Sequence, residues 1–572
     1  LNHTARSLGR DIGASSQGRF ARLAAWTCAS DARALAALLL LALALFLPGF
    51  ASLPPMDRDE PRFAQATRQM LETRDFIDIR FQEEARHKKP VGIYWMQAAT
   101  VTAGETAGIT DARRTMWLYR LPSLAGAIAL VLLGFWTARA FVERPAALAA
   151  GALIAASVLV GVEARLAKTD ALMAACTLAA MGVLARLWLG RHAPQSLPRG
   201  LAWLFWAAIG LGILVKGPIP PLVVGLTIGV LIWRERSAGW LAALRPASGL
   251  ALVALIVAPW LIAIAWKTSG AFFAASVGED MLAKVGAGKE SHGAPPGTYL
   301  LASLGTFWPL APFAILAAPF AWATRREDTT VFLLAWIVPT WVMFEAVPTK
   351  LPHYVLPVLP GLAILVGLAL ARGALRAQAP WERGVTILLP LLAIGLAMAA
   401  AGASLHYEGF PPFAGGPVLL AAAGLALLAA RRLWQGLPGR AIGTAVAASV
   451  LVAWGAYALT LPTLRTFQLS PRLAETLRAA PCGDPLLATA GYREPSLVLL
   501  TRTDLEMTYG AGAAAFLAGP GCRVAFVESR EAAAFTAEAA RLGLSPRLLT
   551  RVSGVNLNGG RRLDIAVLAS QR

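Results

Sequence analysis

Residues 34–50 read ALAALLLLALALFLPGF. No charged side chain interrupts the run. A helix rising about 1.5 Å per residue needs about 20 such residues to cross the hydrocarbon of a bilayer. The same signature recurs at 119–141, 145–162, 170–190, 201–217, 219–233, 248–266, 298–322, 329–347, 353–371, 384–404, 415–430 and 441–461, which with 34–50 predicts about thirteen spans. Composition agrees: the 572 residues are 57% hydrophobic and 15% charged, against about 45–50% and about 25% in soluble globules. A soluble protein is excluded.

The formal charge of +19 raises the question of nucleic acid. Position answers it, because the arginines sit in short connectors between apolar runs rather than along a groove. Arg139 and Arg144, then Arg186, Arg191 and Arg199, then Arg234, Arg236 and Arg245 fall in alternate gaps. Arg325 and Arg326, then Arg372, Arg376 and Arg383, then Arg431, Arg432 and Arg440 continue the alternation. Basic loops stay in the cytoplasm, so the pattern predicts a multi-pass bacterial inner-membrane protein with a cytoplasmic N-terminus and a periplasmic C-terminus. Residues 1–33, which carry Arg6, Arg10, Arg19, Arg22 and Arg33, read as a cytoplasmic tail and not as a cleaved signal peptide. The initial Leu is expected to reflect an alternative start codon.

The opposite connectors carry the polar residues that topology does not require. They are the loops 51–118 and 267–297, with 163–170 and 347–353. Within 51–118 the pattern from Pro61, with Phe63, Ala66, Met70 and Leu71 on one side, predicts an amphipathic helix on the membrane surface. Residues 91–102 predict a second, more apolar helix, with Tyr94 and Trp95 in the interface. After the membrane domain at 34–461, residues 462–572 alternate apolar runs at 485–489, 496–500, 523–527 and 564–568 with helical stretches at 471–480 and 530–542. Strands alternating with helices predict a small α/β domain. The fold class is therefore an all-α polytopic membrane domain followed by a periplasmic α/β domain. Cys482 and Cys522 fall in that outer domain, where the compartment permits a disulfide between them; two buried thiols are the alternative.

Candidate chemistry clusters in the outer connectors. Asp57-Arg58-Asp59-Glu60-Pro61-Arg62 follows the first span. Its acids either cap a helix start or, with the arginines, meet a lipid-phosphate headgroup and a sugar. Arg86-His87-Lys88-Lys89-Pro90 is a basic surface stretch or a phosphate site. Asp170 lies at the mouth of a span after Glu163, Arg165 and Lys168, and an acid at such depth marks function unless it is a salt bridge or a cap. Lys216 ends an apolar run; Lys284, Lys289, Glu290 and His292 punctuate the loop 267–297, and Lys350 and His353 flank the third connector. Together these residues point to one cavity at the outer membrane surface.

Asp59-Glu60-Pro61-Arg62-Phe63-Ala64, Lys89-Pro90 with Tyr94-Trp95, Lys168-Thr169-Asp170, Lys216-Gly217-Pro218 and Lys350-Leu351-Pro352-His353-Tyr354 resemble the lipid A aminoarabinose transferase-like family of GT-C glycosyltransferases. The resemblance implies an enzyme moving a sugar from an undecaprenyl-phosphate donor to lipid A or another periplasmic acceptor. It implies Asp59 and Asp170 as catalytic residues. Lys89 is implied at the donor phosphate with Lys284 as its basic partner, and Glu60, Arg62, Lys216, His292, Lys350 and His353 as further substrate contacts. Lys88 stands where that family often has Glu, so a divalent metal is left open and no other cofactor is implied. Partners are the lipid-linked sugar, the acceptor and membrane lipids, with no nucleic acid. The rival within the enzyme class is a protein O-mannosyltransferase; the rival outside it is a transporter or flippase of a lipid-linked sugar, against which no inverted repeat is detectable.

Overall fold

The computed structural model describes residues 26–56, 58–192, 197–282 and 293–570. Among them, nine helices are long and apolar enough by length and composition to cross a membrane, the first Met116–Ala138 and the last Pro438–Thr463. The other expected spans are also helical but shorter or broken. The run at 34–50 gives Asp31–Phe46, and 219–233 gives Ile219–Glu235. The run at 145–162 splits at Ser157 into Arg144–Ala156 and Val158–Glu163, and 298–322 splits into Thr298–Thr306 and Leu310–Ala323. Pro309 cannot donate a helical hydrogen bond, which opens the second break. The two interruptions meet: Val158 N–H donates to the Trp308 carbonyl at 2.9 Å. Irregular backbone is tolerated at membrane depth where protein satisfies it in this way.

The bundle has two surfaces of opposite logic. Inside, Leu38, Phe135, Leu184, Phe313, Trp336 and Leu359 are buried in one continuous core. Outside, Leu255, Ile262, Leu391 and Met398 are 72%, 67%, 58% and 65% exposed on helices whose one charge is the terminal Lys267. Lipid covers such a face without cost and water does not. The chain is a multi-pass membrane protein.

The first loop departs from expectation. Helix Asp59–Thr73 forms, but Glu60, Phe63, Gln65, Arg68 and Met70 are all buried. It lies between the bundle and the C-terminal unit rather than on a membrane surface. Its apolar side packs on Ile93, Tyr94, Trp260 and Phe272, and its polar side meets residues 498–503. Helix Gly92–Thr106 is likewise drawn in: Tyr94 is fully buried against Phe63, and only Trp95 keeps the exposed position expected of both.

Residues beyond the last helix form a five-stranded sheet in the order Glu506–Thr508, Leu486–Ala490, Arg523–Glu528, Arg561–Ala569, Arg547–Asn556. The first three strands are parallel; the last two form an antiparallel hairpin. Side chains alternate between faces, as strand geometry requires. Leu487, Val524 and Phe526 face Leu473 and Leu497, while Ala488, Ala525 and Val527 face Ala513 and Phe535. The run at 496–500 is not a strand but the helix Pro495–Leu500. Pro495 begins it, where a missing N–H is harmless, and its apolar residues cover one face of the sheet. Cys482 and Cys522 are joined by a disulfide just ahead of two neighbouring strands.

Candidate active site

Asp59 and Glu60 are adjacent in sequence and opposite in environment. Glu60 is 0% exposed. Arg120 donates to it twice, from Nε to Oε1 at 2.7 Å and from Nη2 to Oε2 at 3.1 Å. The amides of Met56 and Ala167 each donate at 3.0 Å. Arg120 spends its remaining donors on the carbonyls of Phe50, Leu53 and Pro54. This buried pair fastens three things together: the chain leaving the first apolar helix, the start of helix Asp59–Thr73, and the turn before Asp170. A buried, fully hydrogen-bonded carboxylate has no lone pair left for a substrate, which removes Glu60 from the direct contacts expected of it.

Asp59 is half-exposed. Its Oδ1 lies 3.8 Å from Arg62 Nη1 and 4.0 Å from Arg86 Nη2. Arg86 is buried, with its guanidinium 5.0 Å from the centre of the Phe63 ring. The hairpin Arg80–Phe81/Glu84–Ala85 carries Arg86 and Lys89 toward the bundle. His87 is tied to Asp78 at 2.8 Å and packs edge-on against Phe272. Helix Gly92–Thr106 then begins so close to the neighbouring helix that a Cβ on Gly92 would stand 2.7 Å from the Leu214 carbonyl. The Lys89-Pro90 loop is thereby set beside the end of helix Arg199–Lys216.

At that end the second half of the site assembles. Lys216 Nζ pairs with Asp170 Oδ1, and Lys168 Nζ lies 3.7 Å from Glu163 Oε1. His353 spans the two acids, with Nδ1 3.8 Å from Glu163 and Nε2 3.8 Å from Asp170. Tyr354 stacks edge-on against His353 and holds its ring 5.7 Å from Lys216 Nζ. Every one of these groups sits where a helix begins or ends. The turn bearing Lys168 is itself held by Ser123 Oγ, which donates to the Lys168 carbonyl at 2.9 Å, and by Gln97, which donates to the Ala167 carbonyl at 3.2 Å.

The remaining expected residues divide. Lys350 is buried and donates to the carbonyls of Glu345 at 2.8 Å and Val347 at 2.6 Å, so it caps helix Asp328–Ala346. Glu345 accepts from the amides of Gly297 and Tyr299 at the head of the facing helix. Lys350 thus braces the connector that presents His353. Lys284 and His292, with Lys289 and Glu290, lie outside the described residues. Arg120 was absent from the expected residues, and Glu163 and Lys168 were read only as neighbours of Asp170, with no role of their own. Glu163 and Lys168 carry the same signal as Asp170, being charged residues in the connector 163–170. Arg120 is the lone charge in the first two-thirds of a long apolar helix, which by default marks a partner inside the bundle.

Glu163, Asp170 and His353 offer one ligand atom each within 4.8 Å of one another, which is the spacing of a metal site. Their charge is already balanced by Lys168 and Lys216. A divalent ion would have to displace both lysines, so the residues present fit an ion-pair cluster better than a metal centre.

Comparison with known proteins converges on one fold. The crystal structure of ArnT from Cupriavidus metallidurans bound to undecaprenyl phosphate superimposes with a TM-score of 0.73, covering 94% of this chain and 97% of that one at 20% identity. The chain has the ArnT-like GT-C fold. A family model described as dolichyl-phosphate-mannose-protein mannosyltransferase matches residues 88–263. Among curated relatives, the undecaprenyl phosphate-alpha-4-amino-4-deoxy-L-arabinose arabinosyl transferase of Pseudomonas paraeruginosa is 28% identical over 355 residues, 61% of this chain and 61% of that protein. Its counterpart from Erwinia tasmaniensis is 27% identical over 319 residues, 54% of each. The chain therefore aligns with about three-fifths of the length of the curated relatives it matches.

Proposed function

We propose that this protein is an integral-membrane glycosyltransferase that moves a sugar from an undecaprenyl-phosphate donor to lipid A, with aminoarabinose-type chemistry. One observation carries the proposal: acids and cations from positions 59 to 353 are gathered at one end of the bundle, with Asp59 on one side and the Asp170–Lys216–His353 cluster on the other. Alternating access needs a midplane site, and these groups stand at helix ends, which favours a transferase over a flippase. The membrane domain at 34–461 supplies the site, and the unit at 462–572 covers it. The basic-connector pattern supports an inner-membrane setting with the N-terminus in the cytoplasm and the site in the periplasm.

When the bond between the anomeric carbon and the phosphate oxygen breaks, the lipid phosphate gains negative charge. Lys216, Lys168, Arg86 and Lys89 are preorganised cations in a largely dehydrated setting, where such charge is stabilised most strongly. Asp170 and Glu163 hold two of these lysines in place and His353 bridges the acids. Asp59 and Arg62 face the sugar. A lipid A phosphate is already anionic and needs no base, so Asp59 then orients the donor sugar or pairs with its amine; a hydroxyl acceptor would use the same carboxylate as general base. Glu60 and Lys350 act as struts.

The test is reconstitution of the purified protein in liposomes with undecaprenyl-phosphate aminoarabinose and lipid A, followed by mass spectrometry. Lipid A gaining the mass of one aminopentose supports the reading. Lipid A left unchanged there, with a serine- or threonine-bearing peptide gaining a hexose when the same liposomes are given polyprenyl-phosphate mannose and that peptide, would establish the mannosyltransferase that the family model over 88–263 describes.

A further inference from the structure

Helix Asp59–Thr73 bears the proposed reacting carboxylate on its first residue, and its sides are held by different parts of the molecule. Phe63, Ala66 and Met70 pack on the bundle, and Ala64 shares a cluster with Val101, Tyr119 and Leu499. The polar stripe Gln65, Arg68, Gln69 and Glu72 follows helical spacing; Gln65 and Arg68 are buried, and Glu72 reaches the solvent-exposed rim. Gln65 Nε2 donates to Thr503 Oγ1 at 2.8 Å, and that hydroxyl donates to Glu72 at 2.6 Å. Arg68, also bonded to Glu72 at 2.8 Å, donates from Nη1 to the Leu499 carbonyl at 2.8 Å. Gln69 exchanges two bonds of 2.8 Å with the backbone of Gln82, whose side chain donates to the carbonyls of Thr503 and Leu505. Arg114 adds a bond to the Thr501 carbonyl at 3.1 Å. The segment 498–505 of the C-terminal unit therefore grips the helix along two turns.

Small apolar residues such as Ala64 and Ala66 let a helix roll; directional hydrogen bonds do not. We infer that Arg68 and Thr503 are positioning residues for the transfer, through which the C-terminal domain sets the rotation of the helix that carries Asp59. A roll of about 20° moves a carboxylate, which stands about 5 Å from a helix axis, by roughly 1–2 Å. A displacement of about 1 Å at a reacting group costs about 100-fold in rate. The C-terminal domain is then part of the catalytic apparatus. This rests on the reading of Asp59 as a reacting group.

The experiment uses full-length protein in nanodiscs, with undecaprenyl-phosphate aminoarabinose and lipid A as probes. The variants are Arg68→Met, Arg68→Lys and Thr503→Val, with Asp59→Asn as reference. Arg541→Ala, on a distant exposed pair with Glu538, is the control. Arg68→Met is expected to lower kcat by about 10- to 100-fold with KM for the donor nearly unchanged. Thr503→Val lowers kcat by a smaller factor, and Arg68→Lys recovers part of the loss because an ammonium can reach the same carbonyls. Hydrogen exchange rises in 59–73 while the strand 486–490 stays protected. Wild-type kcat in both Arg68→Met and Thr503→Val, in a protein that Asp59→Asn inactivates, overturns this inference and leaves the proposed function standing. Undiminished transfer by Asp59→Asn overturns both.

Discussion

Asp59 and Glu60 should fail in opposite ways when each loses its charge and keeps its shape. In Glu60→Gln the buried Arg120 guanidinium keeps its carbonyl partners but loses the carboxylate it pairs with, and the new amide places donors against at least one existing donor. Breaking a buried pair in this way costs about 3–5 kcal/mol, a large share of the 5–15 kcal/mol that typically holds a domain together. In Asp59→Asn the half-exposed side chain gives up two contacts of 3.8 and 4.0 Å, worth no more than about 1 kcal/mol to folding. Its cost falls on the barrier, where losing the group that orients the donor sugar costs about 100-fold, or about 3 kcal/mol, and more if the carboxylate also takes a proton. Both variants would be purified in nanodiscs, melted by tryptophan fluorescence, and assayed for sugar transfer by mass spectrometry per folded molecule. Glu60→Gln should melt much earlier with near-normal turnover in whatever remains folded. Asp59→Asn should melt normally and turn over at least 100-fold more slowly. A Glu60→Gln protein of normal stability and no activity would refute the division, and would return Glu60 to the substrate.

Lys216→Met leaves the buried Asp170 without its ammonium partner, so it should lose both transfer and about 3–5 kcal/mol of stability; adding Asp170→Leu should restore the melt but not the activity, read from a double-mutant cycle. Because Lys168 and Lys216 already balance the acids, prolonged chelation with EDTA should leave the transfer rate unchanged, and a loss restored by a divalent ion would place a metal at Glu163, Asp170 and His353. The disulfide closes a loop of 40 residues, so Cys482→Ser should lower the stability of the C-terminal domain by about 4 kcal/mol, measured by proteolysis of 462–572 under matched conditions. Asp59 should be indifferent to that change at temperatures where the domain stays folded.

The membrane architecture was legible because its signal is long and redundant: about thirteen apolar runs follow one another, and arginines mark every second gap between them. The broken helices were not, because Ser157 and Trp308 read as ordinary members of apolar runs, and only their meeting across the bundle satisfies the freed backbone. Pro495-Ser496-Leu497-Val498-Leu499-Leu500 has the length and composition of a buried strand, and periodicity cannot separate the two in so short a run. The residue types of the site were visible as charge in unexpected places, yet their division of labour was not. Glu60 and Lys350 look as chemical as Asp59 and Lys216 in a list of letters. Burial and partners separate them, and for Glu60 those partners lie 60 and 107 residues away along the chain. The helix from Pro61 was misplaced for a related reason: Gln65, Arg68 and Glu72 form a polar face whether water or another domain covers it.

The claim that Asp59 and the Asp170–Lys216–His353 cluster are two walls of one donor site is tested most directly by a cryo-electron microscopy structure of this protein with undecaprenyl phosphate. The account predicts the phosphate between them, within about 3 Å of Lys216, Lys168, Arg86 or Lys89, with Asp59 across from it. A phosphate bound elsewhere, with Asp59 and Lys216 opening into separate spaces, would contradict it.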